Sequence, residues 1–480
     1  MDEGEYGTEV ADRNAEEQRV EAFSSSFKKE LGLTDLVLTQ ILFIVGLPWV
    51  GVAAKQGTSH VVLWLAAMVL FYIPSAAVVI YLNRSMPLEG GIYQWAKLGF
   101  NDLVGFLVAW NLWLFAILNT SEIGLQLTQY CVYIAGPSSE SLAEDPLLIA
   151  GVNFVVMGAL VVITIIGLGV GKWVHKAGGI LMIATFATIV LLPILNWFNG
   201  SLPGGYHPIT FEMPAVSLMT LNLLGKMGFG AFGGFEYVAI HAGEARDPVR
   251  TIGRSVAIAA PIIVAMFILG TSSVLMLIPQ DQIDLIAPVP QVLNIGFGPL
   301  GGAAAIGIAA IFALLSIRIA QSSVQFAGNT RLPMVAGWDN LLPAWFTKLH
   351  ARYRTPVNSI LFVGAATFFM SVIGLIGVGK QEAFQILWNA SGVFYALTYV
   401  VMLAIPIFGF RNENVKVPLW LKLASLSGLV MTLLFVALAL VPIIQVENRL
   451  LFAVKIGGLI VATNFIGYLI YRVATRTSPS

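Results

Sequence analysis

Apolar runs long enough to cross a membrane recur along the whole chain, and nothing constrains its fold more. A hydrocarbon core of about 30 Å needs about 20 consecutive apolar residues in a helix. Such runs lie near 35–55, 61–82, 102–131, 148–168, 177–198, 215–240, 255–278, 300–326, 357–379, 383–409, 418–442 and 450–472, numbered α1 to α12 in that order. In lipid every backbone N–H and C=O must be satisfied within the segment, so these runs predict twelve spanning helices. Composition agrees: 57% of the 480 residues are hydrophobic and 11% charged, against roughly one-quarter charged in soluble domains.

The short connections then set the sidedness. Alternate loops hold Arg84 and Lys97, then Lys172 and Lys176, then Arg246, Arg250 and Arg254, then Arg331, Lys348, Arg352 and Arg354, then Arg411, Lys416 and Lys422. The loops between them, Gly136–Leu147, Asn199–Pro214 and Pro279–Pro299, hold neither Lys nor Arg, although the first carries Glu140, Glu144 and Asp145. Lys and Arg concentrate on the cytoplasmic side of a membrane protein. Both termini are therefore expected in the cytoplasm of a cell that carries the protein in its plasma or inner membrane. Residues 1–31 are polar and acidic and read as a cytoplasmic tail rather than a cleaved signal; 32–474 form one transmembrane core and 475–480 a second tail. Pro343–Thr347 reads as a short helix along the inner face.

Several function classes drop out. Zero net charge gives no sign of nucleic acid, and one cysteine, Cys131, allows neither an intramolecular disulfide nor a multi-cysteine metal site. His60, His175, His207, His241 and His350 are scattered without metal spacing, and no phosphate-binding loop is present. The chain is expected to be no enzyme and to hold no cofactor. A channel would need a continuous pore ringed by carbonyls or charges.

Two of the spans carry helix breakers at mid-membrane. α1 reads FIVGLPWVG, and Pro48 removes a ladder donor and clashes with the preceding turn. α6 reads FGAFGGFE, with Gly228, Gly230, Gly233 and Gly234, each costing about 1 kcal/mol against alanine inside a helix. Breaks are expected near Gly46–Pro48 and at Ala231–Gly234. They fall five helices apart, as in two inverted repeats of five helices whose first, discontinuous members meet at the midplane and offer orphan amides and carbonyls to a substrate. Close packing of helices through small residues is the other reading of the same glycines. The binding reading selects Gly46, Leu47, Pro48 and Trp49 on α1, and Phe232, Gly233, Gly234 and Phe235 on α6.

Ionisable residues at membrane depth are functional candidates by default. Four occur: Glu122 in α3, Lys226 and Glu236 in α6, and Arg318 in α8. Counting along each run from its end places Glu122 and Lys226 in the outer half, and Glu236 and Arg318 in the inner half. Two pairs are expected, Glu122–Lys226 and Glu236–Arg318, acting as gates or proton carriers, or else as static ties. Gln321 and Ser322 of α8 are candidate ligands for substrate or sodium; Asn111, Asn119 and Asn389 are polar and read mainly as interhelical contacts.

Three motifs resemble the amino acid, polyamine and organocation transporters. In α6 they are Gly234-Phe235-Glu236, then Glu244, Asp247-Pro248 and Ile252-Gly253-Arg254; after α2, Pro87, Gly90, Gly91, Tyr93 and Trp95; after α8, Arg331, Asp339, Leu342-Pro343 and Thr355-Pro356. The similarity runs from about Gly32 to α12. It implies a five-plus-five inverted repeat with two additional helices, and alternating access of an amino acid or related amine by exchange, proton symport or sodium symport. Two departures stand out. Gly46-Leu47-Pro48 replaces the family's Gly-Ser-Gly, whose amides receive a carboxylate, which leaves room for a polyamine. Met182 occupies the α5 position where cation-independent relatives often carry lysine. A sensor that binds ligand without transporting it is the remaining alternative.

Overall fold

The computed structural model describes residues 29–136, 145–202, 209–300, 304–374, 380–409, 417–443 and 448–477, with 18, 22, 139, 141 and 446 besides. Nearly all of the N-terminal tail, the loop acids Glu140 and Glu144, His207, Arg411, Lys416 and the last three residues lie outside that set. Among the described residues all regular structure is helical, apart from one isolated bridge between Leu31 and Ala245.

Among the described residues, nine helices are long and apolar enough to cross a membrane, and the bent pair Leu33–Ile44 and Leu47–Ala54, which together form α1, makes a tenth. The nine are α2 (Gly57–Ser85), α3 (Asp102–Ala135), α4 (Pro146–Ile166), α5 (Val170–Phe198), α7 (Pro248–Leu277), α8 (Ile306–Gly337), α10 (Phe384–Gly409), α11 (Leu419–Leu438) and α12 (Arg449–Arg476). The other two expected spans are less regular. α6 is split into Leu218–Gly225 with Lys226–Gly230, and Phe235–Glu244, while α9, Val357–Gly374, is short.

Local chemistry fixes several helix starts. The Asn101 side chain accepts from the Val104 amide (3.0 Å) to cap α3, Asp145 from Leu147 (2.8 Å) to cap α4, and Ser217 from Thr220 (3.1 Å) to cap α6. The expected inner-face helix is a single short turn, Ala344–Thr347.

α1, α3, α6, α8 and α10 surround the centre: α3 packs along α10, α8 along α5, and the first half of α1 along α7. α12 lies at the edge, with only 17% of its apolar stretch buried. One end of the bundle is knitted by charges, the end that carries the basic loops. There Lys97 meets Asp339 (3.0 Å), Lys172 meets Glu30 (3.2 Å), Lys176 meets Asp35 (2.9 Å) and Arg331 meets Glu244 (2.6 Å).

Candidate functional site at the two helix breaks

In α1 the proline acts where its chemistry demands. Pro48 has no N–H for the carbonyl of residue 44 and its ring crowds that position, so the first half ends at Ile44, and Gly46 N–H turns back to the Ile44 carbonyl (2.8 Å). The two halves meet at 45°. Ending a helix leaves carbonyls without intrahelical partners. Two of them, Leu42 and Val45, accept hydrogen bonds from the side-chain amide of Gln321 on α8 at 2.8 and 2.9 Å.

In α6 the first half widens through Lys226–Gly230, a π-type turn of the kind found at functional sites. The chain leaves the helix at Gly233 and Gly234, and Gly234 adopts φ +139°, a region essentially reserved for glycine. Its amide donates to the Tyr399 hydroxyl (2.7 Å). A Cβ at Gly234 would lie 2.7 Å from Phe43 and 2.8 Å from Ile44, so the two breaks press against each other.

A cavity of about 70 Å³ lies between them, lined by Gly46, Pro48 and Trp49 of α1, Gly230 and Gly233 of α6, Arg318, Gln321 and Gln325 of α8, Trp388 and Tyr395 of α10, and Phe115 and Asn119 of α3. Of the described lining residues, Arg318 alone carries a charge. Trp49 meets Trp388 edge to face across this space (5.2 Å).

Sequence-selected residues divide around it. Gly46, Pro48, Trp49, Gly233, Gln321 and Arg318 line the cavity. Leu47, Gly234 and Ser322 are buried next to these residues without lining it. Phe232 and Phe235 point the other way: both stack on Tyr72 of α2, at 4.3 and 4.5 Å, in an aromatic layer that includes Trp64 and Phe267. Successive helical residues already point about 100° apart, so adjacency to Gly233 in sequence does not mean facing the same side.

The expected charge pairs are not those that form. Glu122 pairs with Arg318 (2.8 Å), not Lys226, and also accepts from Gln126 (3.1 Å). The cause is the length of α8. It continues past its apolar run to Gly337, so Arg318, 19 residues back from that end, stands level with Glu122, 20 residues along from Asp102. Lys226 donates to Asn389 of α10 (2.8 Å) and lies 5.9 Å from the centre of the Phe435 ring. Among the described residues it has no carboxylate partner. Glu236 accepts hydrogen bonds from the hydroxyls of Tyr395 and Tyr399, one to each oxygen, and does not reach Arg318. Those tyrosines escaped the sequence reading; their i, i+4 spacing on α10 marks one helical face, and that is the signal that could have found them. Gln325 was likewise missed.

The chain matches the amino acid permease family over residues 31–471. It is similar to an uncharacterised transporter of Legionella pneumophila, 23% identical over 90% of this chain and 95% of that one. A chloroplastic cationic amino acid transporter of Arabidopsis thaliana is also 23% identical, over 64% of this chain and 54% of its own length. The branched-chain amino acid permease BcaP of Bacillus subtilis is 22% identical over 75% of this chain and 80% of its own.

Proposed function

The chain belongs to the amino acid permease family, and from that premise we propose that it is a secondary transporter moving an amino acid across a cell membrane by alternating access, with its basic end and both termini in the cytoplasm. The observation that carries this reading is the cavity held between two touching helix breaks. Broken spans that meet at mid-membrane suit one occluded site, reached first from one face and then from the other, better than a continuous pore.

Two features bear on substrate and coupling. A polyamine site calls for carboxylates, yet the charged group lining this cavity is the Arg318 guanidinium. Pro48, with no amide to offer, argues in the opposite direction and keeps an amine substrate as the second reading. Sodium is drawn to the carbonyls at the end of a half-helix; here Gln321 already occupies those of Leu42 and Val45. That supports proton symport or exchange, with Glu236 as the proton carrier.

The test is uptake by purified protein in liposomes, with pooled radiolabelled amino acids in one series and spermidine in another, each with and without an imposed proton gradient. Accumulation of an amino acid supports the proposal, and its gradient dependence separates symport from exchange. Uptake of spermidine alone would replace it with the amine reading, and binding without uptake would make the protein a sensor.

A further inference from the structure

The cavity wall contains buried polar atoms that the fold leaves unused. Buried polar groups are nearly always hydrogen-bonded, and an exception calls for a physical account. Three such atoms belong to cavity-lining residues: Nε of Arg318, Oδ1 of Asn119 and Oε1 of Gln325. None has a hydrogen-bond partner among the described residues. Leaving a buried donor or acceptor unpaired is destabilising, more so when it is charged. All three residues line one small space, so a single ligand held there can meet them together.

Their chemistry specifies that ligand. A guanidinium N–H donates and suits a carboxylate. The two amide oxygens only accept, and suit an ammonium group. Several backbone groups at the breaks already have partners. Gln321 caps the Leu42 and Val45 carbonyls, Gly46 N–H is turned to Ile44, Pro48 has no N–H, and Gly234 N–H is held by Tyr399.

We propose that side chains of α3 and α8 take part in reading the substrate's two charged ends, with Arg318 receiving the carboxylate and Asn119 and Gln325 the ammonium. The ligand class is a free zwitterionic amino acid. Glu122 and Gln321 are positioning residues: each holds one terminal nitrogen of Arg318, at 2.8 and 3.3 Å, which leaves Nε for the ligand. The inference rests on the transport function proposed above.

The experiment uses the full-length protein in liposomes and the ordinary L-amino acid that wild type accumulates best, competed by that amino acid's methyl ester and by its N-acetyl derivative. In wild type both blocked forms compete roughly 10–100-fold more weakly than the free amino acid, the worth of one charged hydrogen bond. In the double variant Glu122→Gln, Arg318→Gln the preference for acid over ester falls close to one. Asn119→Ala keeps that preference and loses the preference for free amine over N-acetyl. Arg318→Lys preserves both charges of the pair and decides the carboxylate arm if the double variant does not fold; its ester discrimination shrinks. Uptake by these variants with both preferences intact overturns the inference and leaves the transporter standing. Failure of wild type to accumulate any amino acid overturns both.

Discussion

Glu236 shows how a buried carboxyl is held with no counter-ion among the described residues. Both oxygens accept from tyrosine hydroxyls on α10, and its exposure is 0%. The two tyrosines are not equivalent. Tyr395 donates to Glu236, whereas Tyr399 donates to Glu236 and also accepts from Gly234 N–H. Removing the Tyr399 hydroxyl leaves two buried groups unpaired where removing that of Tyr395 leaves one. Tyr399→Phe is therefore expected to lower stability by about 1–3 kcal/mol more than Tyr395→Phe, read as a larger drop in the thermal midpoint of the detergent-solubilised protein. Equal drops would show that the bond to Gly234 contributes nothing. If Glu236 carries the coupling proton, Glu236→Gln abolishes the proton-gradient dependence of uptake while the protein still folds, because the amide can accept from one tyrosine and donate to the other. A variant whose uptake and pH profile match wild type would remove Glu236 from the mechanism. Glu236 was legible as a candidate from its charge inside an apolar run; its partners, 159 and 163 residues away, were not.

At the scale of the element, the breaks separate what sequence encodes locally from what it does not. Pro48 ends its helix four residues upstream through covalent geometry alone, and the glycines of α6 loosen theirs through lost side chains, so both breaks were readable in place. Which way the flanking aromatics face is a matter of tertiary packing, and at Gly234, where φ is positive, Phe43 and Ile44 of a distant helix leave no room for a side chain. The same contact makes a sharp prediction. Gly234→Ala combines strain of about 1–3 kcal/mol at a positive φ with a methyl pressed against two side chains of α1, so it should abolish uptake and reduce the yield of folded protein. Gly457→Ala in α12 is the control: nothing lies within 4 Å of the added carbon, and alanine gains roughly 0.5–1 kcal/mol over glycine in a helix. A Gly234→Ala protein that transports like Gly457→Ala would mean that the two breaks need not touch.

Across the whole molecule, the basic end is where the spans are tied together, and its ties cross between segments that alternating access would have to separate. The Leu31 bridge to Ala245 and the Arg246 N–H bond to the Leu31 carbonyl (2.9 Å) strap the start of the chain to the end of α6. Beneath that strap Arg331 binds Glu244 at 2.6 Å and stands 3.8 Å from Glu89, whose other oxygen accepts from Gly243 N–H (2.7 Å). Two carboxyls thus share one guanidinium in a buried place. Burial, and then the charge of Glu244, push the Glu89 carboxyl up from its ordinary 4.5 to about 8, against the opposing pull of Arg331, the Gly243 amide and Lys29. Between those two values the folded protein binds a proton at Glu89 that the unfolded chain does not, so stability declines as pH rises through the window. The thermal midpoint of the solubilised protein is accordingly expected to fall between about pH 5 and pH 8. Glu89→Gln should flatten that fall, since a permanently neutral amide mimics the protonated form. An unchanged slope in Glu89→Gln would place the titrating proton elsewhere; a flattened one would show that deprotonating Glu89 weakens the lock at this end, and that opening toward the basic face becomes easier as the medium turns alkaline.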